Sequence, residues 1–382
     1  MFTKKNHLMK SEVPTTDSVI CLHPILEERG KVKGDDDAYR VSLKDCLACS
    51  GCAITEDDIN LLAHQDPTLV LEKVREHPGF SALISSSALS NLAAARGWSI
   101  QKAYGSLTSF LTSLGASHVD HDGIWQAVWR YLLLDIFNNG NIQKPLIISR
   151  CAGAVMFFER KTKYANHLAQ IKPFPQLYAI FQKAFVTNSE SENNKITYVM
   201  NVAPCYDRKL ETGRFENDVD AAMTIGEIDD RIIESDEIEV PSFPADNDAL
   251  YMLRKLSPGK EITTKVIGNT IEYSNGEFNT AMICGEAALR RLCANIDRNR
   301  CKFDIVEADF CPNACMAGGG LIRGETPSRR KELVSSTSSI HKENENENEN
   351  ECLIREIVNK LKQQNIAATY VSEEPKKEDF NF

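Results

Sequence analysis

From residue 80 onward the chain alternates short apolar runs with stripes of apolar residues three and four apart. That is the pattern of buried strands followed by amphipathic helices. Residues 80–85 read as a strand, 87–96 as a helix, and 100–114 as a second helix ended by Gly115. A short strand at 117–120 precedes a strongly helical stretch at 125–137, with Trp129, Leu132, Leu133 and Ile136 along one side. Residues 145–149 form a strand that delivers Arg150 and Cys151 at its C-terminal end. A helical region at 157–185 and a polar loop at 188–195 lead to a strand at 196–202, which ends at Ala203-Pro204-Cys205. Residues 218–224 are another strand, and 226–233 open a helix. Residues 241–275 carry turn signals and no strong element. Strand, helix, strand follow at 280–284, 285–296 and 303–308, and the last feeds Phe310-Cys311-Pro312-Asn313-Ala314-Cys315-Met316-Ala317-Gly318-Gly319-Gly320. Such alternation predicts open parallel sheets that place their sites at strand C-termini.

The ends differ. Residues 1–20 are polar, and 55–77 read as a helical region capped by Thr55-Glu56-Asp57-Asp58, with Leu61 and Leu62 on its apolar face. From 326 the composition turns charged, and a Glu/Asn repeat at 342–351 cannot bury a core. Residues 353–361 predict a short helix before an acidic tail ending Phe380-Asn381-Phe382.

Length, charge and hydropathy narrow the class. The 382 residues allow two to three domains or lobes. A formal charge of −10 argues against a nucleic-acid binder driven by phosphate contacts. No apolar run is long enough for a membrane span, and Met1–His7 lacks the apolar core of a signal peptide. The expectation is a cytoplasmic or nuclear protein.

Twelve cysteines then need a reason, because stable disulfides are rare in a reducing compartment. Cys46, Cys49 and Cys52 form a C-x-x-C-x-x-C run that suits three irons of one cluster, and Cys21 is the upstream candidate for the fourth. Zinc is the alternative, with His23 and His64 in reach of the argument. Cys311 and Cys315 share a face if their segment is helical, where Pro312 suits the first turn. The three glycines after them read as room for something bulky. Cys151 and Cys205 each follow a strand, Cys205 beside Arg208 and Lys209, whose charges favour a thiolate. His118, Asp120, His121 and Asp122 read as a solvated turn rather than a metal site. Cys284, Cys293, Cys301 and Cys352 receive no role.

The contexts of Cys151, Cys205, Cys311 and Cys315 resemble the three signatures of the iron-only hydrogenase catalytic domain. These are a serine-cysteine-cysteine-proline stretch, a proline-cysteine followed by a basic residue and glutamate, and a cysteine-proline-x-x-cysteine with glycines. The Cys46–Cys52 triplet with Cys21, and the run Pro204-Cys205-Tyr206-Asp207-Arg208-Lys209-Leu210-Glu211, are similar to the non-hydrogenase branch. That branch holds the prelamin-A-recognition-factor-like proteins and the cytosolic iron–sulfur assembly factors of eukaryotes. The resemblance, over about residues 20–325, implies a two-lobed α/β domain of parallel sheets flanked by helices. It implies an N-terminal cluster segment at 1–75, lobes at 76–195 and 196–328, and a disordered, low-complexity linker, short helix and docking tail at 329–382. It also implies two 4Fe–4S clusters, one on Cys21, Cys46, Cys49 and Cys52, the other on Cys151, Cys205, Cys311 and Cys315. Phe380, Asn381 and Phe382 resemble a tail that docks on the cytosolic targeting complex, which contains a WD40 propeller.

Departures from the hydrogenase pattern shape the functional expectation. Arg150 stands where active hydrogenases carry a proton-relay cysteine; Ala152, Ala154, Ala203, Arg208 and Leu321 depart as well. The resemblance therefore implies a non-catalytic iron–sulfur protein of cytosolic cluster assembly. It would bridge an early scaffold complex and the targeting complex, delivering clusters to cytosolic and nuclear apoproteins, without nucleic acid or membrane. The alternatives are a catalytic hydrogenase or electron-transfer enzyme and a zinc-binding interaction protein.

Overall fold

The computed structural model describes residues 64–373, apart from 141, 187–194, 216, 217, 242 and 347–349, and a few positions before 64, among them Asp58. Cys21, Cys46, Cys49, Cys52 and the Phe380–Phe382 tail lie outside the described residues.

Helix α1 (Pro67–Glu76) starts where Asp66 accepts the Thr68 amide at 2.8 Å and Pro67 occupies the first turn. A four-stranded, all-parallel sheet follows, built from β1 (Ser81–Ile84), β2 (His118–His121), β4 (Val199–Ala203) and β5 (Ala221–Thr224) in the order β2–β1–β4–β5. The second sheet has β3 (Leu146–Ile148) at one edge, then β9 (Ile305–Asp309), β8 (Asn279–Cys284), β7 (Thr270–Ser274) and β6 (Thr263–Ile267). Only β3, β9 and β8 run parallel; β6 and β7 form an antiparallel hairpin against β8. Each sheet takes strands from both sides of the expected lobe junction at 195/196: β3 joins the second sheet, β4 and β5 the first.

Strand alternation sorts side chains into layers. Ala82, Ile84, Met200 and Val202 face α1, α2 (Ser86–Arg96) and α3 (Ile100–Ser113). Leu83 and Val199 face the opposite way, onto α4 (Gly123–Asn139) and α6 (Phe174–Phe185). Leu146, Ile148 and Ile305 of the second sheet meet that same apolar layer. Ile147, Val306 and Ala308 turn to the far side, beneath α5 (Ala152–Lys161) and α9 (Glu286–Asp297). The result is helices, sheet, helices, sheet, helices.

Several expectations need correction. The helical region at 157–185 is two helices, α5 and α6, joined by a stretch that pairs Leu168 with Ile147. Residues 241–275 contain α8 (Asp248–Leu256) and the β6–β7 hairpin; β6 is solvent-exposed throughout, so no buried pattern marked it. The charged region after 326 is not a disordered linker over its described part. Helix α10 (Pro327–Glu343) lies on α2, where Asn91 Nδ2 donates to Thr337 Oγ1 at 3.3 Å. Helix α11 (Glu351–Leu361) buries Ile354, Ile357, Val358 and Leu361 in the central layer. A strap after it carries Tyr370, buried, with its hydroxyl donating to the Ile171 carbonyl at 3.0 Å. Interspersed apolar residues at helical spacing outweigh the overall charge there.

Candidate metal centre

The loops after three strands bring four cysteines to one region. Cys151 lies beyond β3 and is the N-cap of α5. Its amide donates to Ser149 Oγ at 3.1 Å, and that hydroxyl donates to the Ala308 carbonyl on β9 at 2.7 Å. Cys311 lies two residues beyond β9, the parallel neighbour of β3, so both loops leave the same sheet edge. Cys205 comes from the other sheet, two residues beyond β4 and just before α7 (Asp207–Thr212). Cys315 sits in a 3-10 turn, Ala314–Ala317, rather than on an α-helix. Ala314 at φ 48° breaks helical continuity between the two thiols, so the shared helix face expected for Cys311 and Cys315 does not form. Close approach makes each thiol feel others: Cys151, Cys205 and Cys315 all raise the pKa of Cys311.

The glycines have a different task from the one expected. A Cβ on Gly318 would strike the Pro204 carbonyl, and one on Gly320 would strike Thr224. The Gly320 amide donates to the Pro204 carbonyl at 2.9 Å. They let the Cys315 loop lie against the Cys205 loop, so their space is filled by the protein's own backbone.

Burial dominates the electrostatics. It raises Cys151, Cys205 and Cys311, and it pushes Cys315 up to about 11 although Arg208 and Arg150 pull the other way. For Cys205 the expected lowering by basic neighbours is outweighed by burial and Asp207; Lys209 instead binds Glu227 at 2.6 Å. Four buried thiols that oppose one another's ionisation suit a cationic group that displaces their protons. Among the described residues no three His, Cys, Asp or Glu side chains converge as on a single ion. A cubane spreads its ligands around its own volume, so the donor set fits a cluster better than a lone tetrahedral zinc.

Arg150 fills the space next to Cys151. Its Nε lies 2.7 Å from Asp248 Oδ2, its Nη2 3.4 Å from Glu307, and its Nη1 donates to Gln126 Oε1 at 2.5 Å. Asp248 is also held by Arg130 at 2.7 Å. Burial and Asp248 push Glu307 up to about 8, and burial lifts Asp309 to about 6.

Sequence reasoning missed two neighbours. His121 and Asp122 are buried, not solvated: Asp122 accepts from the Ser86 amide and hydroxyl, and His121 Nδ1 accepts the Gly123 amide at 3.1 Å. Their place at a strand-to-helix junction was the available signal. Cys284 ends β8 opposite Asp309 and is a fifth buried thiol, raised by burial and influenced by Cys151. It too follows a strand, the feature that singled out Cys151 and Cys205.

Fold and site together define an α/β protein of two stacked sheets with a four-cysteine centre at their strand ends. The family model described as "Iron only hydrogenase large subunit, C-terminal domain" matches residues 80–260. The chain is 25% identical to a probable cytosolic Fe-S cluster assembly factor of Brugia malayi, over 80% of this chain and 77% of that one. It is 24% identical to Protein NAR1 of Arabidopsis thaliana, over 80% and 78%. Among solved structures, an apo FeFe-hydrogenase HydA1 from Chlamydomonas reinhardtii superposes with a TM-score of 0.60 at 13% identity, covering 86% of this chain and 99% of that one. The chain belongs to the iron-only-hydrogenase-like family, and within it resembles the assembly factors.

Proposed function

We propose that this chain is a non-catalytic iron–sulfur protein of cytosolic cluster assembly. The names of its relatives and the four-cysteine centre support that reading, and one observation carries it: Arg150, the residue before Cys151, has its guanidinium engaged by Asp248 and Glu307. A guanidinium stays protonated at any working pH, so it cannot relay protons as a thiol can. Cys151, Cys205, Cys311 and Cys315 hold one 4Fe–4S cluster; Cys21, Cys46, Cys49 and Cys52 hold the other. When bound, the buried cluster adds its binding free energy to folding. The N-terminal cluster is the exchangeable one, and the chain bridges an early scaffold and the targeting complex through Phe380, Asn381 and Phe382. It works in the cytoplasm and also in the nucleus.

Iron and sulfide content of anaerobically purified protein, with EPR after reduction, tests this. Two cubanes predict about eight irons per chain. Zinc with negligible iron overturns the reading. The hydrogenase-like fold favours one rival, a true hydrogenase. Hydrogen-dependent dye reduction by anaerobically matured protein would establish it.

A further inference from the structure

Arg208 lies on the first turn of α7, three residues after Cys205, and is 5% exposed. Its Nη1 donates to Glu211 Oε2 at 2.6 Å, and its Nη2 donates to the backbone carbonyl of Arg150. The ring of Phe174 lies beneath the guanidinium, 5.6 Å from its carbon. Cys205 belongs to the four-stranded sheet; the Arg150 carbonyl is in the peptide that enters Cys151, on the five-stranded sheet. One planar fork therefore joins two cysteine loops that come from different sheets.

Two further contacts complete a circuit. Ser149 Oγ ties the Cys151 loop to Ala308 on β9, which leads to Cys311. The Gly320 amide ties the Cys315 loop back to Pro204, next to Cys205. None of these links uses a cysteine sulfur, so the loops are spaced by the protein before any metal arrives.

We propose that Arg208 is a positioning residue for the four-cysteine centre, fixing the distance between the Cys205 and Cys151 loops across the two sheets. This rests on the reading that these cysteines hold a cluster. Buried Glu211 anchors one arm of the fork so that the other meets the carbonyl. A lysine would keep the charge and lose the two-armed geometry. If charge alone mattered, lysine would substitute; if the fork matters, lysine behaves like glutamine.

The test uses the full chain, reconstituted anaerobically with ferrous iron and sulfide, in four forms: wild type, Arg208→Lys, Arg208→Gln and Glu211→Gln. Iron per chain, the EPR signal after reduction and the rate of iron release to a chelator are measured. All three variants are expected to release the iron of this centre about ten- to a hundredfold faster than wild type, as for other residues that orient metal ligands. Their EPR signal from this centre should shift, while that of the N-terminal cluster stays. Should an Arg208 variant prove insoluble, Glu211→Gln decides, because it keeps the arginine. Wild-type release and EPR in Arg208→Lys or Glu211→Gln overturn the proposal. A Cys205→Ala protein with the same iron content as wild type overturns instead the underlying cluster reading.

Discussion

Arg150 Nε lies 2.7 Å from Oδ2 of Asp248, whose other carboxylate oxygen is held 2.7 Å from Arg130 Nε. One buried carboxylate thus joins the arginine beside a candidate cluster ligand to the central helix α4. Arg150 keeps 24% of its side chain exposed, while Asp248 and Glu307 are almost fully enclosed.

Removing Arg150 takes the counter-charge from Glu307 and one of two from Asp248. Breaking a buried pair costs about 3–5 kcal/mol. Glu307, already pushed up to about 8, can take a proton and soften that loss. Arg150→Ala is expected near the lower end, read as a fall in the denaturant midpoint, with Arg150→Lys losing less.

Gly318→Ala forces a methyl against the Pro204 carbonyl, which is backbone and cannot swing aside. The loop carrying Cys315 must move away from the Cys205 loop. A stability loss of about 1–3 kcal/mol is expected, with lower iron content in the reconstituted protein.

The cysteines should divide into two groups. Cys205→Ala or Cys311→Ala depletes soluble protein, because cluster binding there is part of folding. Cys49→Ala leaves the large domain folded. Equal depletion in all three variants, measured in soluble extracts, contradicts the division.

Burial lowers the His341 imidazole to about 4, against about 6.5 when unfolded. Its ring packs on Phe243 at 4.8 Å, and Asp122, His121 and Arg150 lie around it. Between those two pH values the unfolded chain binds more protons, so stability is complete above about 6.5 and falls as pH drops toward 4. His341→Gln should flatten that part of the profile, as followed by denaturant midpoints against pH.

Arg160 grips Asp58 with two hydrogen bonds, 2.7 and 3.1 Å, and lies 3.7 Å from Glu373 at the end of the C-terminal strap. The Glu373 amide adds a bond to the Glu159 carbonyl at 2.7 Å. Arg160→Gln should speed amide hydrogen exchange across residues 366–373 by about tenfold, since a hydrogen bond to a charged group contributes about 1.5–3 kcal/mol. Unchanged exchange would remove Arg160 as the anchor.

Local order was legible in the sequence. The strands at 81–84, 118–121, 146–148, 199–203 and 305–309 fall within a few residues of their expected positions, because buried runs and turn residues act over short distances. Cys151, Cys205 and Cys311 at strand ends were legible for the same reason, and so was Arg150 beside Cys151. What Arg150 does was not: Asp248 and Glu307 lie about 100 and 157 positions away along the chain. Nor could the pattern say that β3 pairs with β9 while β4 pairs with β1, or that Gly318 and Gly320 pack on Pro204 and Thr224. The low apolar content after 326 concealed two packed helices, since a few residues at the right spacing suffice when a surface waits to receive them. Sequence by itself determined the elements and the residues that carry metal chemistry. Tertiary structure alone decided which strands share a sheet, which charges are neutralised and what fills each gap, because those depend on contacts between segments far apart in the chain.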